Sequence, residues 1–252
     1  MPDSILHESA LITSSDTDFT RNLKLSALVN MHIQIAWHHA EQLGFGFEFL
    51  HANDLIWMLS RFHLIIEAYP QWNEHLHLST WPKGIRRLFY LRDFSTADES
   101  GNPVSKATSE WLIINRRAKR PKLYNPDNNI FRENLEKHAI NGEVPVLTFD
   151  GKNKAEYSNK VVYSDIDLNQ HLTTTRYIDW MMDCFEIDYF NNKYCNELVL
   201  NFIREIPFGE HAVIKKAELT DQPNRYVFEF TSTDGKTVFF RGLLGFAKKE
   251  ST

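Results

Sequence analysis

The same order of predicted elements occurs twice along the chain, and this repetition constrains the fold more than any other feature of the sequence. Each half has a helix, predicted from apolar residues at three- and four-residue steps, within 26–44 and again within 177–185. Strand-like segments follow each helix: 54–70, 75–81, 86–97 and 106–115 in the first half, and 197–207, 211–219, 225–232 and 237–246 in the second. Turn residues separate them, including Asp234-Gly235, which predicts a two-residue hairpin.

A single long helix followed by an antiparallel meander can bury its apolar face only if the sheet curls around it. The sequence therefore predicts an α+β fold in which the hotdog arrangement occurs twice in tandem. We place the first unit at residues 1–135 and the second at residues 146–252. The joint is expected within 121–146, where Asn, Pro, Lys and Glu are frequent and no periodicity is visible.

Composition argues against several other classes of protein. No run approaches the ~18 apolar residues of a membrane-spanning helix, and the N-terminal segment lacks the basic and apolar regions of a secretory signal. We therefore expect a bacterial cytoplasmic protein without membrane insertion. The net charge of -5 gives no reason to expect nucleic-acid binding. Neither the two cysteines, Cys184 and Cys195, nor the histidines show metal-ligand spacing, so no metal is expected.

The strongest candidate for chemistry is the segment VVYSDIDLNQHLTTTRYIDW, which leads into the second predicted helix. Asp165, Asp167, Asn169 and His171 alternate in it, and an extended backbone would turn all four side chains to one face. A helix start offers free N–H groups for an oxyanion, while a carboxylate and an imidazole can deprotonate water. Glu205, near the end of the following strand, supplies a second acid. Taken alone, this pattern is more typical of a helix cap.

The segment resembles the corresponding part of the acyl-acyl carrier protein (acyl-ACP) thioesterases of plants and bacteria. Other blocks resemble that family in the same order, over about residues 20 to 247: NDLIWMLSRFHLIIEAYPQWNEHLHLSTWP, ATSEWLIINRRAKRP and LNFIRE. The resemblance implies a double hotdog without a cofactor, whose second unit is catalytic and whose first unit binds the acyl chain. It also implies that Asp167, Asn169, His171 and Glu205 form the catalytic set.

The sequence departs from the family at two places. Plant members have a cysteine directly after the matching glutamate, and Ile206 occupies that position here, so the implied route is water attack rather than an acyl-cysteine. Thr173 and Thr174 replace a frequent pair of asparagines at the helix start. We expect Glu205, or Glu205 with His171, to activate water.

The substrate-binding residues are less sharply indicated. Trp57 and Met58 are expected to line the acyl pocket. Because acyl carrier protein is acidic, the basic run Arg116, Arg117, Lys119 and Arg120 is the predicted docking site for it. A looser basic run, comprising Lys83, Arg86, Arg87 and Arg92, is expected to form an ordinary exposed strand face.

Several alternatives stay open on the sequence alone. An acyl-coenzyme A thioesterase would use identical chemistry on another carrier, and a hotdog dehydratase would also combine a histidine with an acid. A non-catalytic acyl-binding protein is a third possibility, since fold does not fix function. The oligomeric state is also open between a monomer and a homodimer.

Overall fold

The structure is a computed structural model that describes residues 3–124, 134–150, 154–168 and 170–249. The chain divides into two compact units, Met1–Val144 and Pro145–Thr252. Both are built from one principal helix and an antiparallel sheet with five main strands, so the predicted α+β class and the repeated hotdog arrangement are confirmed.

The first unit contains six strands and two helices in the described residues. In chain order these are β1 (Leu6–Leu11), α1 (Leu25–Gln42), α2 (Phe47–Ala52), β2 (Leu55–Ile66), β3 (His75–Arg86), β4 (Phe89–Asp98), β5 (Pro103–Asn115) and β6 (Arg120–Pro121). Its sheet has the strand order β1-β3-β4-β5-β2, and β6 pairs with β5. All neighbouring strands of this unit are antiparallel.

Helix α1 packs its apolar stripe against the inner face of this sheet. Leu28, Val29 and Ile35 are buried, as a helix that covers a sheet requires. His32, on the same stripe, is fully buried, stacks on Phe94 of β4 and shares a hydrogen bond with Thr96 at 2.8 Å. The helix ends before Gly44, whose φ of +80° suits a glycine.

The second unit repeats this arrangement. Its elements are β7 (Ala155–Lys160), α3 (Thr174–Met182), β8 (Lys193–Phe202), β9 (His211–Glu218), β10 (Arg225–Ser232) and β11 (Val238–Lys248), with the strand order β8-β11-β10-β9-β7. On α3, Tyr177 stacks on Phe230 and packs against Phe240, while Trp180 also stacks on Phe230. The aromatic residues therefore join α3 to the central strands β10 and β11.

Strands β1 and β7 were not predicted from the sequence. Each precedes the helix of its unit and forms an edge of the sheet, β1 beside β3 and β7 beside β9. Their sequences, LHESAL and AEYSNK, are polar because an edge strand of this kind buries little surface. The repeat is thus one strand longer than the apolar pattern indicated.

The turn between β10 and β11 is longer than predicted. Gly235 does take a left-handed conformation, with φ +70°. However, the N–H of Ser232 donates to the carbonyl of Thr237 at 2.9 Å, which leaves four residues in the loop. Asp234 accounts for this, because its carboxylate accepts from both the Ser232 hydroxyl and the Lys236 N–H and so stabilises a wider turn.

Residues 134–144, which our prediction left mostly between the units, pack on the first unit. Asn134 donates to the carbonyl of Ser4 at 3.0 Å, and the Trp81 indole donates to the carbonyl of Lys137 at 2.9 Å. In the second unit, Asn201 holds residues 145–147, since its side chain bonds both the Pro145 carbonyl and the Leu147 N–H.

The looser basic run is not a uniformly exposed strand face, because only Arg87, in the turn after β3, is exposed. Lys83 is buried and pairs with the buried carboxylate of Asp93 at 2.8 Å, and Arg92 is buried as well. Arg86 pairs with Glu110 at 2.6 Å. The expectation was wrong because β3 and β4 are central strands, so that both of their faces are largely covered.

None of the helices in the described parts of the chain is long and apolar enough to cross a membrane.

Candidate active site

The segment between β7 and α3 forms a tight loop rather than the extended strand that we expected. A single 3₁₀ turn, Tyr163–Asp165, opens it. The chain then reverses, because the N–H of Asp167 donates to the carbonyl of His171 and the N–H of Gln170 donates to the carbonyl of Asp167, both at 3.0 Å. Gln170 has φ +66°, in the left-handed region. Asp165, Asp167 and His171 therefore do not lie on one face of an extended strand.

Asp165 is a structural residue of this loop. Its side chain is 8% exposed and pairs with Arg176 of α3 at 3.0 Å. The same carboxylate accepts the N–H of Val162 at 3.0 Å, and the Asp165 carbonyl accepts the N–H of Thr173 at 2.8 Å. These bonds fix the start of α3 relative to the loop.

His171 and Glu205 lie together, although 34 positions separate them in the sequence. The N–H of Leu172 donates to the carbonyl of Ile206 at 2.9 Å, and His171 forms a bridge with Pro207. This pairing brings Nε2 of His171 to 3.2 Å from Oε2 of Glu205. The side chains are 31% and 44% exposed, so the pair is open to solvent and to a substrate.

The two nitrogens of His171 have different surroundings. Nδ1 is buried and has no hydrogen-bond partner within the described residues. Nε2 faces a carboxylate, which can only accept a hydrogen bond when it is ionised. The arrangement favours the tautomer in which Nε2 carries the proton and donates it toward Glu205.

The other two predicted residues of the set belong to the same loop. Asp167 is exposed, and its Oδ1 accepts a long hydrogen bond of 3.4 Å from the N–H of His171. The carboxylate therefore closes the turn that presents the imidazole. Asn169 lies outside the described residues.

Tyr177 is a neighbour of the site that the sequence showed only as an apolar helix position. It is buried beneath the loop on α3. Burial raises the pKa of its hydroxyl, and the charges of Glu205 and Asp167 act in the same direction. Tyr177 therefore stays protonated and lies within electrostatic reach of both carboxylates.

Arg204 does not neutralise the candidate base. It is exposed, and in the parts of the chain that the structure describes it forms no ion pair with Glu205, whose partner is His171. The start of α3 lies directly after the loop, with Thr173 as its N-cap residue. Helix geometry leaves the first-turn N–H groups, including those of Thr174 and Thr175, without intrahelical acceptors.

The first unit carries a second copy of this loop backbone. Four backbone hydrogen bonds, each from an N–H group to a carbonyl at 2.8 to 3.0 Å, occur at matching positions in the two loops. In the first unit they run from Asp18 to Asn22, Arg21 to Asp18, Leu23 to Pro70 and Lys24 to Asp16. In the second unit, in the same order, they run from Asp167 to His171, Gln170 to Asp167, Leu172 to Ile206 and Thr173 to Asp165. Arg21 and Gln170 both have positive φ, at 68° and 66°. By this register, Asn22 stands in place of His171 and Tyr69 in place of Glu205. The acid and the imidazole thus occur together only in the second unit's copy of this loop.

A cavity lies inside the first unit, between α1 and the sheet. It is partly open and is lined by Ala36, Trp37, Ala40, Trp57, Pro82, Tyr90, Leu91, Arg92 and Trp111. Trp57 is therefore at a cavity, whereas Met58, its neighbour on β2, is not among the lining residues.

The four predicted docking cations surround the turn between β5 and β6. Arg116, Arg117, Lys119 and Arg120 are all exposed. Arg117 pairs with Asp54 at 2.9 Å, although its side chain is 81% exposed. Exposed pairs of this kind are weak, so the run remains available to an acidic partner.

No three His, Cys, Asp or Glu side chains within the described ranges come close enough to hold a metal ion. Two of the histidines pair with single carboxylates instead. His38 pairs with Glu8 at 3.0 Å, and His75 pairs with Glu99 at 2.8 Å.

Comparison with protein families finds two matches. Residues 5–128 match the acyl-ACP thioesterase N-terminal domain, and residues 150–238 match the acyl-ACP thioesterase C-terminal domain.

Curated relatives carry the same family names. The Arabidopsis thaliana oleoyl-acyl carrier protein thioesterase 2, chloroplastic, is 24% identical over 260 residues, which cover 92% of this chain and 67% of the relative. The palmitoyl-acyl carrier protein thioesterase, chloroplastic, of the same plant is 23% identical, over 80% of this chain and 52% of the relative. The chain thus spans between about half and two thirds of the length of these plant relatives.

Solved structures show the same fold. An acyl-ACP thioesterase from Bacteroides thetaiotaomicron superposes with a TM-score of 0.84 at 24% identity, covering 97% of this chain and 98% of that one. The 12:0-ACP thioesterase from Umbellularia californica superposes with a TM-score of 0.85 at 18% identity, covering 99% of both chains.

Proposed function

Because the chain belongs to the acyl-ACP thioesterase family, we propose that it hydrolyses fatty-acyl-ACP to a free fatty acid and the thiol form of the carrier. The observation that carries the proposal is the 3.2 Å pair of His171 and Glu205, on a solvent-accessible loop beside a helix start. A base, a proton carrier and a set of free N–H groups are the parts that thioester hydrolysis needs.

In this reaction Glu205 acts as the general base. His171 holds Oε2 of the carboxylate through Nε2–H, and Oε1 takes a proton from water. The resulting hydroxide adds to the thioester carbonyl carbon, and the first N–H groups of α3 stabilise the oxyanion. Collapse of the tetrahedral intermediate breaks the carbon–sulfur bond, and the proton returns to the departing thiolate. Asn169 is proposed to orient substrate or water.

The loop of the first unit supports this division of roles. Asp18, the counterpart of Asp167, accepts hydrogen bonds from the Thr20 N–H at 2.8 Å and the Asn22 N–H at 3.1 Å, and so closes its own turn. An aspartate is therefore used at this position even where Asn22 and Tyr69 replace the catalytic pair. Asp167 is accordingly proposed to position His171 rather than to act as the base.

Cysteine nucleophiles play no part in the proposed route. The side chain that follows Glu205 is the buried Ile206. Cys184 and Cys195 are both buried, and burial raises the pKa of each thiol to about 12. Neither forms a thiolate at neutral pH, which a nucleophilic cysteine must do.

The first unit is proposed to serve the substrate. Its cavity is lined by Trp57 together with other aromatic residues, which suits an acyl chain, whereas Met58 lies outside that lining. The exposed cations of the β5–β6 turn are proposed to attract the acidic carrier. Carrier docking would then depend on charge, whereas chain binding would depend on apolar contact.

The test is thiol release from acyl-ACP and acyl-coenzyme A thioesters that carry the same chain. We expect the carrier-protein substrate to be preferred, and its kcat/KM to fall steeply with added salt. The double variant Arg116→Gln, Arg120→Gln should lower kcat/KM for acyl-ACP, whereas Lys236→Gln, which removes an exposed charge from the β10–β11 turn, should not.

Other outcomes would select the alternatives. Equal rates on both carriers, independent of salt, would favour an acyl-coenzyme A thioesterase. Acyl binding without hydrolysis of any thioester would favour a binding protein. Replacing the acyl chain by a series of lengths would give the chain preference.

Location and oligomeric state are two further proposals. A cytoplasmic location is proposed, and cell fractionation with an antibody tests it. The chain is proposed to be a monomer or a homodimer, and light scattering coupled to size exclusion distinguishes the two.

A further inference from the structure

The cavity of the first unit contains a charge that its surroundings do not balance. Arg92 lies on β4, is 9% exposed and is the charged member of an otherwise largely aromatic and aliphatic lining. A buried guanidinium without a partner costs several kcal/mol unless something compensates it, so the contacts of Arg92 are informative.

The two hydrogen-bond partners of Arg92 among the described residues are neutral. Its Nη1 donates to Nδ1 of His39 and to the hydroxyl of Thr80, each at 3.1 Å. His39 donates through Nε2 to the carbonyl of Asp3 at 3.0 Å, which leaves Nδ1 as an acceptor. Burial, with the charge of Arg92, also lowers the pKa of His39 to about 4, so the imidazole is uncharged at neutral pH.

Two carboxylates on β4 and β5 are already committed, and the charge of the exposed Asp3 acts on His39. Asp93 faces Lys83 at 2.8 Å and accepts the N–H of Ala139 at 2.7 Å. Glu110 is shared between Arg61 at 2.8 Å and Arg86 at 2.6 Å. Burial lowers the pKa of Arg92 to about 9, but the guanidinium still keeps its charge at neutral pH.

Three donors of Arg92 are left over. A guanidinium carries five N–H groups, and Nη1 uses its two on His39 and Thr80. Nε–H and the two Nη2–H groups have no acceptor among the residues that the structure describes. Because Nε and Nη2 form one edge of the planar group, they present the paired donors that match a carboxylate.

The rest of the lining suits an aliphatic chain. The indole N–H of Trp57 donates to the carbonyl of Phe45 at 2.9 Å, and the indole N–H of Trp111 donates to the hydroxyl of Ser109 at 2.8 Å. These rings therefore offer carbon surface to the cavity.

We propose that this cavity binds a free aliphatic carboxylate, with the head group on the open edge of Arg92 and the chain among the tryptophans. The inference goes beyond the proposed reaction, since the substrate is a thioester and carries no carboxylate at the reacting end. If the acyl chain of the substrate enters the same cavity, as proposed above, the released acid competes with it. The enzyme would then be inhibited by its own product.

Intrinsic fluorescence provides the test, because Trp37, Trp57 and Trp111 line the cavity. The 252-residue chain is titrated with dodecanoate and with dodecanol, which has the same aliphatic chain and an uncharged head, both below their aggregation limits. We expect dodecanoate to change the emission and to bind at least tenfold more tightly than dodecanol. In Arg92→Met this preference should disappear, whereas Arg87→Met, which removes an exposed charge from the β3–β4 turn, should retain it.

Equal binding of the two ligands by the unmodified protein would overturn the proposal, and so would unchanged dodecanoate binding by Arg92→Met. No fluorescence response to dodecanoate would also overturn it. The comparison of ligands on the unmodified protein does not depend on the stability of a variant. Because no turnover is measured, the result is independent of whether the protein hydrolyses thioesters.

Discussion

Replacing the buried His32 should remove a large part of the acid sensitivity of the first unit. Burial lowers the pKa of this imidazole from 6.5 to about 3 in the folded protein. In the unfolded chain its pKa returns to about 6.5. Below that value the imidazole binds a proton in the unfolded state but not in the folded state, so the free energy of unfolding falls as the pH falls.

The magnitude follows from the two pKa values. The stabilising contribution is fully present above pH 6.5 and is lost progressively as the pH falls from about 6.5 toward about 3. When the pH is lowered from about 8 to about 5, the last 1.5 pH units or so lie below the pKa of His32 in the unfolded chain. Each of these units lowers the free energy of unfolding by about 1.4 kcal/mol, so His32 alone should lower it by about 2 kcal/mol over this interval.

The assay is denaturant unfolding at both pH values, followed by tryptophan fluorescence. Five of the six tryptophans, all except Trp180, lie in the first unit, so the signal reports mainly on the unit that contains His32. In His32→Gln the loss of unfolding free energy between the two pH values should be about 2 kcal/mol smaller than in the unmodified protein. The exposed His38→Gln is the matched control and should leave the loss unchanged. An equal pH dependence in His32→Gln and the unmodified protein would refute the reasoning.

Two other expectations concern the second unit. Cys184 and Cys195 are buried, with pKa values of about 12, so the native protein should show no thiol that reacts rapidly with a disulfide reagent. Treatment with an alkylating reagent should therefore leave hydrolysis intact. Modification of a native thiol with a parallel loss of turnover would contradict this. Gly242→Ala should destabilise the second unit by about 1–3 kcal/mol, because the new methyl carbon would lie 2.2 Å from Sδ of the fully buried Met181. Thermal or denaturant unfolding measures this loss. Unchanged stability would contradict the prediction and show that the packing there is loose.

The sequence predicts the central elements of the fold because their apolar periodicity is strong. The apolar runs of the sequence correspond to α1, α3, β2 to β5 and β8 to β11. Each of these elements buries one or both of its faces, and the apolar periodicity reflects that burial. Edge strands β1 and β7 bury little, so their composition carries no comparable signal.

The candidate site is predictable only in part. The segment that holds Asp167 and His171 is visible in the sequence, but its shape is not, because a turn closed by the Asp167 carboxylate and a left-handed Gln170 replaces the extended backbone. The pairing of His171 with Glu205 depends on a bridge between distant segments, which spacing alone does not reveal. It was expected only from the family resemblance.

Arg92 shows the opposite kind of failure. The surrounding sequence, RRLFYLRD, predicts a charged strand face, and only the three-dimensional structure shows that Arg92 is buried. Side-chain burial on a central strand depends on what covers each face, and a single basic residue in an alternating pattern does not specify it.

The catalytic account is tested most directly by the hydrolysis of one acyl-ACP thioester by Glu205→Gln, His171→Ala and the first-unit counterpart Asn22→Ala, with thermal unfolding as a check on folding. General base catalysis contributes about 10²- to 10⁴-fold, so we expect a loss of this size in both second-unit variants and turnover close to normal in Asn22→Ala. Near-normal turnover in Glu205→Gln or His171→Ala would contradict the account. An equal loss in a correctly folded Asn22→Ala would contradict it as well.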